Sequence, residues 1–307
     1  LTFDILAETL FSGEIAGEPG SFAHQVDRLF ETMGRVDPLD LIGAPDWLPR
    51  ITRLLGRSSL AFFRRIVADT IRQRQEKMRA APDAVPADFL TLLLRAEGPD
   101  GLTRAEVEDN IITFIGAGHE TTARALGWTL YCLAEAPWER DKVEQEIDAV
   151  LAREPDPTKW LDAMPLTRAV FEEALRLYPP APSINREPIE PETWKDLHIP
   201  RYAAVLVMPW VVHRHRKLWD RPDAFMPERF HPGNRDKIDR FQYLPFGAGP
   251  RVCIGASFAM QEAIIALAML LSRFRFDTTP DTEPWPVQKL TTQPQGGLPM
   301  RVTPRTA

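Results

Sequence analysis

The sequence predicts a mainly α-helical chain with a small β region. Three stretches carry that prediction. From Thr103 to Pro137 apolar residues recur at helical spacing on both sides of a polar, glycine-containing centre. A second apolar helical run, Ala256 to Ser272, follows a glycine-rich turn that contains Cys253. Between the two, Pro179 to Pro200 is proline-rich and extended, and short alternating strands follow around His198 to Val207.

At 307 residues the chain can bury a large core, and we read residues 1–307 as a single domain. Hydrophobic content of 44% and charged content of 26% are those of a globular protein, and a net charge of −6 argues against nucleic acid as a partner. The two cysteines, Cys132 and Cys253, offer neither a disulfide framework nor a C-x-x-C metal motif, a composition that suits the reducing cytoplasm. No apolar run reaches the roughly 18 to 20 residues of a membrane span.

Taken in order, Leu1 to Leu10 is helical by the spacing of Leu1, Ile5, Leu6 and Leu10. Phe22 to Met33 and Ser58 to Met78 read as amphipathic helices around a Pro- and Trp-containing bend, Pro38 to Pro49. Ala80 to Pro86 is a linker, and Asp88 to Ala96 is a short helix stopped by Glu97-Gly98-Pro99-Asp100-Gly101. Thr103-Arg104-Ala105-Glu106 is a capping box that opens the long helix. Pro137 closes it after about 32 residues, roughly 48 Å at 1.5 Å per residue.

The middle of that helix breaks its own pattern. Gly116 and Gly118 each cost about 1 kcal/mol relative to alanine, and beside them stand His119, Glu120, Thr121 and Thr122. Local inconsistency at the centre of a core helix marks a candidate site. Helix continues after Pro137 to Leu151, and Thr167 to Tyr178 forms another that holds Glu173 and Arg176, spaced to share one face. His213-Arg214-His215 lacks a third nearby ligand and reads as a solvated helical segment, while Cys132 reads as core.

Cys253 stands at the end of Phe246-Gly247-Ala248-Gly249-Pro250-Arg251-Val252-Cys253-Ile254-Gly255. Gly247 and Gly249 let the backbone take positive φ and approach a planar ligand closely. The helix that follows aims its free amides toward the sulfur, which favours thiolate, and a thiolate is a nucleophile or a metal ligand. Phe246-x-x-Gly249-x-x-x-Cys253-x-Gly255, with Arg251, resembles the heme-binding signature of the cytochrome P450 family. Ala117-Gly118-His119-Glu120-Thr121-Thr122 resembles that family's oxygen-activation motif, and Glu173-Ala174-Leu175-Arg176 with Pro227-Glu228-Arg229-Phe230 resembles its structural charged network.

The resemblance covers essentially the whole chain and implies a cytochrome P450 fold that lacks the family's N-terminal portion. It implies heme b, with Cys253 as the axial thiolate, Arg186 and Arg251 on the propionates, and Phe246, Gly247, Gly255, Ala117 and Gly118 against the cofactor. Thr121 is implied to donate a hydrogen bond to dioxygen and Glu120 to relay protons, with His119 outside the reacting centre. Glu173, Arg176 and Arg229 are implied to be structural. The substrate is expected to be a small apolar molecule touching Phe114, Ile184, Leu290 and Thr291, with Pro182 and Ser183 nearby and Lys289 to Pro294 as a hairpin entering the pocket. The pair 22–33 and 58–78 resembles the pocket's lid. The implied reaction is monooxygenation with O2, fed by a ferredoxin or flavin reductase on a basic face around Arg235, Lys237 and Arg240. A heme-thiolate isomerase, a peroxygenase and a catalytically incompetent heme-binding fragment or sensor are the rival readings.

Overall fold

The computed structural model describes residues 1–15, 39, 44–45, 48–279 and 283–305, with 51–56 as backbone only. The expected helix 22–33 and most of the bend 38–49 lie outside the described residues. The chain forms two compact units, Leu1–Thr121 and Thr122–Ala307.

In the first unit α1 (Thr2–Phe11), α2 (Ile51–Ala80) and α3 (Phe89–Arg95) pack with the first half of α4 (Arg104–Glu135). Their shared core holds Leu6, Phe11, Phe63, Ile71, Leu90, Val107, Ile111 and Ile115. The second helix is longer than the sequence pattern indicated, starting at Ile51 rather than Ser58. A charged knot ties the C-terminus of α1 to α2 and α3. Arg74, wholly buried, grips Asp88 through two bonds of 2.5 and 2.8 Å, and also donates to Glu14 and the Phe11 carbonyl. Asp88 caps α3 by accepting the Thr91 amide at 2.9 Å.

The capping box of α4 forms as expected: the Thr103 amide donates to Glu106 at 2.7 Å, and the Glu106 amide reaches the Thr103 hydroxyl at 3.3 Å. The helix runs for 32 residues. Pro137 then sits in the first turn of α5 (Pro137–Leu151), where its missing N–H costs nothing.

In the second unit α5, α6 (Trp160–Ala163), α7 (Pro165–Leu177) and α9 (Ala256–Leu271) enclose a core of Leu133, Val143, Ile147, Phe171, Ile264, Leu267 and Leu271. Four two-stranded antiparallel pairings make up the described β structure. β1 (Ile184–Arg186) pairs with β4 (Val205–Val207), β2 (Glu192–Trp194) with β3 (Leu197–Ile199), β5 (Phe274–Thr278) with β8 (Met300–Pro304), and β6 (Pro286–Gln288) with β7 (Thr292–Pro294). A single helical turn, α8 (Pro209–Val212), follows β4.

Candidate active site

The cysteine loop is held by its own backbone. The Cys253 amide donates to the Phe246 carbonyl at 2.9 Å, and the Gly247 amide to the Leu244 carbonyl at 3.2 Å. Both turns need glycine: φ is +74° at Gly247 and +77° at Gly249. Gly255, by contrast, has φ −87° and caps α9; a Cβ there would stand 3.9 Å from the Cys253 sulfur. The thiol is free and exposed, whereas Cys132 is buried in the core, where desolvation pushes its pKa far up. Of the two, only Cys253 can reach a ligand.

β1 passes against this loop. A Cβ on Gly247 would meet Ile184 Cδ1 at 3.6 Å. At the far end of the same strand Arg186 is exposed, its guanidinium donating to the Asn185 carbonyl at 2.8 Å. Arg251 is exposed as well, and among the described residues neither arginine has a carboxylate partner. The hairpin of β6 and β7 is tied to the stretch leading into β1: the Thr292 amide donates to the Pro180 carbonyl at 3.0 Å and its hydroxyl to Pro179 at 2.6 Å. Trp128, fully buried in α4, donates to the Thr292 carbonyl at 3.1 Å. The expected contacts Ile184, Leu290 and Thr291 therefore belong to one tethered region, with Leu290 exposed and Thr291 buried. The anchors Trp128 and Thr292 escaped the sequence reading, which did not single out Trp128 and took Thr292 only as part of the hairpin Lys289 to Pro294.

Within the first unit, the centre of α4 packs against α1 and α3. A Cβ on Gly118 would fall 2.3 Å from Leu6 Cδ1, so this glycine admits a side chain of α1. Phe114 lies against Phe89, ring centroids 4.2 Å apart, and His119 meets Phe3 edge-on at 5.9 Å. Glu120 is buried. The Thr121 hydroxyl donates to the Ala117 carbonyl, one turn back, at 2.7 Å.

The charged network is a buried one. Glu173 and Arg176 are fully shielded and joined by two bonds, 2.7 and 2.8 Å, and Arg229 approaches Glu173 at 3.4 Å. Arg176 also donates to the carbonyls of His213, Pro222 and Ala224 at 2.6–3.0 Å. α7 thus anchors the long connection that leads to the cysteine loop.

Two expectations need correction. His213 is not solvated: it is fully buried, and burial pushes its pKa down to about 3 against the bond to the Arg176 carbonyl. Arg214 is largely enclosed as well, over the Trp210 ring at 3.7 Å, with burial lowering its pKa to about 10. The basic face is also weaker than its composition suggests, because Arg235 pairs with Glu172 at 3.0 Å and Lys237 donates to Asn234.

These are the motifs, in order, that the cytochrome P450 resemblance required, and the Cytochrome P450 family model matches residues 1–300. The chain belongs to the cytochrome P450 family. It is 38% identical over 220 residues to human Cytochrome P450 4A11, a match spanning 70% of this chain and 42% of that protein. It is 32% identical over 305 residues to Pentalenene oxygenase of Streptomyces avermitilis, spanning 98% of this chain and 66% of that one. The solved cytochrome P450DA heme domain superposes with a TM-score of 0.80 at 26% identity, covering 99% of this chain and 66% of the other. The fold is that of a cytochrome P450. The chain spans less than half the length of its mammalian relatives. Among the described residues no helix is long and apolar enough to cross a membrane.

Proposed function

We propose that this P450 chain holds heme b through Cys253 and carries out monooxygenation, inserting one atom of O2 into a small apolar organic substrate, with electrons from a ferredoxin or flavin reductase. The observation that carries the reading is the free, exposed thiol of Cys253 on a loop whose glycines sit at positive φ. Among the described residues no three His, Cys, Asp or Glu side chains gather as a bare-ion site. Heme would bring its own nitrogen donors and need one donor from the protein, which such a thiol would supply as thiolate. The exposed Arg186 and Arg251, lacking carboxylate partners, suit the propionates, and forked guanidinium groups fit carboxylates bidentately. The residues present fit the group.

Heme, when bound, supplies the oxygen chemistry; the protein orients, shields and delivers protons. In this reading Cys253 would hold the heme iron as thiolate, and the loop bonds at Phe246 and Leu244 fix its reach. Glu120, a buried carboxyl, passes protons along α4 to Thr121, whose hydroxyl must release the Ala117 carbonyl to donate elsewhere. Ile184 and Leu290 present apolar surface to the substrate, and such surface excludes water. The intact Glu120-Thr121 pair favours oxygen activation over isomerase chemistry.

The test is the absorption spectrum of the dithionite-reduced protein with and without carbon monoxide. A strongly red-shifted Soret band, lost in Cys253→Ala, is expected. A blue-shifted band in the parent, or a red-shifted band that survives Cys253→Ala, sinks the assignment. Turnover driven by peroxide alone, with none from a reductase and O2, would redirect it to a peroxygenase.

A further inference from the structure

The imidazole of His213 lies between two parts of the second unit that the P450 reading treats separately. Its Nδ1 stands 3.2 Å from the Arg176 carbonyl, and its Nε2 accepts the Leu244 amide at 2.7 Å. Arg176 returns the contact by donating Nη1 to the His213 carbonyl at 2.8 Å. From Leu244 the links continue into the loop, since its carbonyl accepts the Gly247 amide and the nearby Phe246 carbonyl accepts the Cys253 amide. We infer that His213 is a positioning residue, a neutral Nδ1–H tether that fixes the entry of the cysteine loop to the Glu173–Arg176 pair and so sets how Cys253 is presented.

The geometry dictates the tautomer. A carbonyl at Nδ1 needs a donor, and an amide N–H at Nε2 needs an acceptor. Only the neutral ring with its proton on Nδ1 satisfies both. Imidazolium would aim a proton at the Leu244 N–H, and the other tautomer would leave both groups unpaired in a site without water exposure, at the usual penalty for buried polar groups. Burial acts in the same direction, pushing the pKa down to about 3, so that the ring stays neutral at any pH well above that value. Tyr243, beside the ring at 5.4 Å between centroids, supports the arrangement by donating its hydroxyl to the Glu172 carbonyl at 2.9 Å. The loop is thus tied to α7 at two consecutive residues, by a side chain at Tyr243 and by a main-chain amide at Leu244.

The spectroscopic consequence rests on the reading of Cys253 as iron ligand; the tether itself does not. Two measurements on the unaltered holoprotein address the tether. Nitrogen-15 NMR of the imidazole should give an Nδ1–H, bare-Nε2 ring, and hydrogen exchange should find the Leu244 amide strongly protected. A ring protonated at Nε2, or a Leu244 amide that exchanges as fast as an exposed one, overturns the inference. Three substitutions then separate tether from core filling. His213→Gln can place an acceptor where Nε2 was, His213→Asn cannot reach that far, and His213→Leu fills space without hydrogen bonding.

Leu244 exchange is expected to quicken about tenfold or more in the Asn and Leu variants, the effect of losing one buried hydrogen bond, and to be largely restored in Gln. The red-shifted fraction of the carbon monoxide adduct should fall about tenfold in Asn and Leu, as loss of partners behind the ligands does to metal sites, with Gln near the parent. If Leu matches Gln in both readouts, the ring is mere filling and the proposal fails. Should the variants not fold, the tautomer and exchange measurements on the parent decide. A parent without any red-shifted band would overturn the ligand reading of Cys253 and leave the tether to be judged by those same two measurements.

Discussion

Gly118 and Leu6 occupy one another's space: a Cβ built on Gly118 lies 2.3 Å from the Leu6 Cδ1, inside any allowed contact. Leu6 is buried, so the clash cannot be relieved into solvent. Overpacking of this kind costs about 1–3 kcal/mol, against a helix-propensity gain of about 1 kcal/mol for alanine over glycine. Gly118→Ala is therefore expected to destabilise. Gly127 in the same helix is the control. Its Cβ would meet Leu298 at an ordinary 3.6 Å, so Gly127→Ala should be neutral or stabilising. Denaturant midpoints check both, and coupling between Gly118→Ala and Leu6→Ala should be strongly non-additive. Equal effects at the two glycines would refute the packing account.

The Glu173–Arg176 pair should behave as a buried ion pair, not as a surface one. Both side chains are fully shielded, and Arg176 serves three further carbonyls. Glu173→Gln leaves a charged guanidinium without its carboxylate in the core, at a cost of about 3–5 kcal/mol. Arg176→Lys should cost a similar amount, since one ammonium cannot reproduce the fork. Urea titration measures this; a loss below about 1 kcal/mol would place the pair with exposed ones.

How much of this was readable in the sequence depended on how local the cause was. The ends of the long helix are set by a capping box and a proline, both adjacent to what they control, and both were legible. Glycine at 247 and 249 was legible for the same reason, because positive φ is a property of the residue itself. The burial of Glu173 and Arg176 was not, since an E-x-x-R spacing reads the same on any helix face; its recognition came from resemblance to the family. His213 was misread because its neighbours His215, Arg216 and Lys217 are polar, while the groups that bury it, Tyr243 and the α7 carbonyl, are distant in sequence. Gly118 was read as space for a ligand, and only the structure brings Leu6 to it.

Thr121 gives a functional prediction on the proposed monooxygenase. Its hydroxyl is parked on the Ala117 carbonyl, a bond that helix threonines make at little net energy, so Thr121→Ala should leave folding within about 0.5 kcal/mol. Proton delivery in the transition state is worth about 100-fold or more. Product formation should fall accordingly while reductant consumption continues, and Thr121→Ser should recover most of it. Unchanged coupling of reductant to product in the alanine variant would remove Thr121 from the chemistry.

Acid should loosen the first unit through Asp88. Burial pushes this carboxyl up, but bonds from Arg74, the Thr91 amide and Ser12 outweigh it and take the pKa from 3.8 to about 2. A group depressed in the folded state contributes stability that is present above its unfolded pKa and lost as pH falls through the folded one. The shift corresponds to about 2 kcal/mol, fully expressed above pH ~4 and gone below pH ~2. Unfolding free energy measured across that window should drop by this amount. Asp88→Asn, already weaker at neutral pH because Arg74 loses its partner, should show a correspondingly flatter profile; the same slope in both proteins would contradict the assignment.

Glu262 should act in the opposite direction and in a separate pH range. It lies on α9, buried, with the Thr122 side chain on the facing side. Desolvation lifts its pKa from 4.5 to about 7, only partly opposed by Thr122. The folded protein therefore keeps a proton here that the unfolded chain releases, so folding loses stability as pH rises from about 4.5 to about 7 and levels off above. The shift amounts to about 3 kcal/mol across the window. Glu262→Gln removes the ionisation but leaves a buried amide, so its absolute stability is a poor guide and its slope is the readout. Denaturation of both proteins from pH 4.5 to 8.5 should give a difference in stability that shifts in favour of the glutamine variant by roughly that amount. A constant difference at all pH values would mean that Glu262 is ionised in the native protein throughout, which its burial does not support.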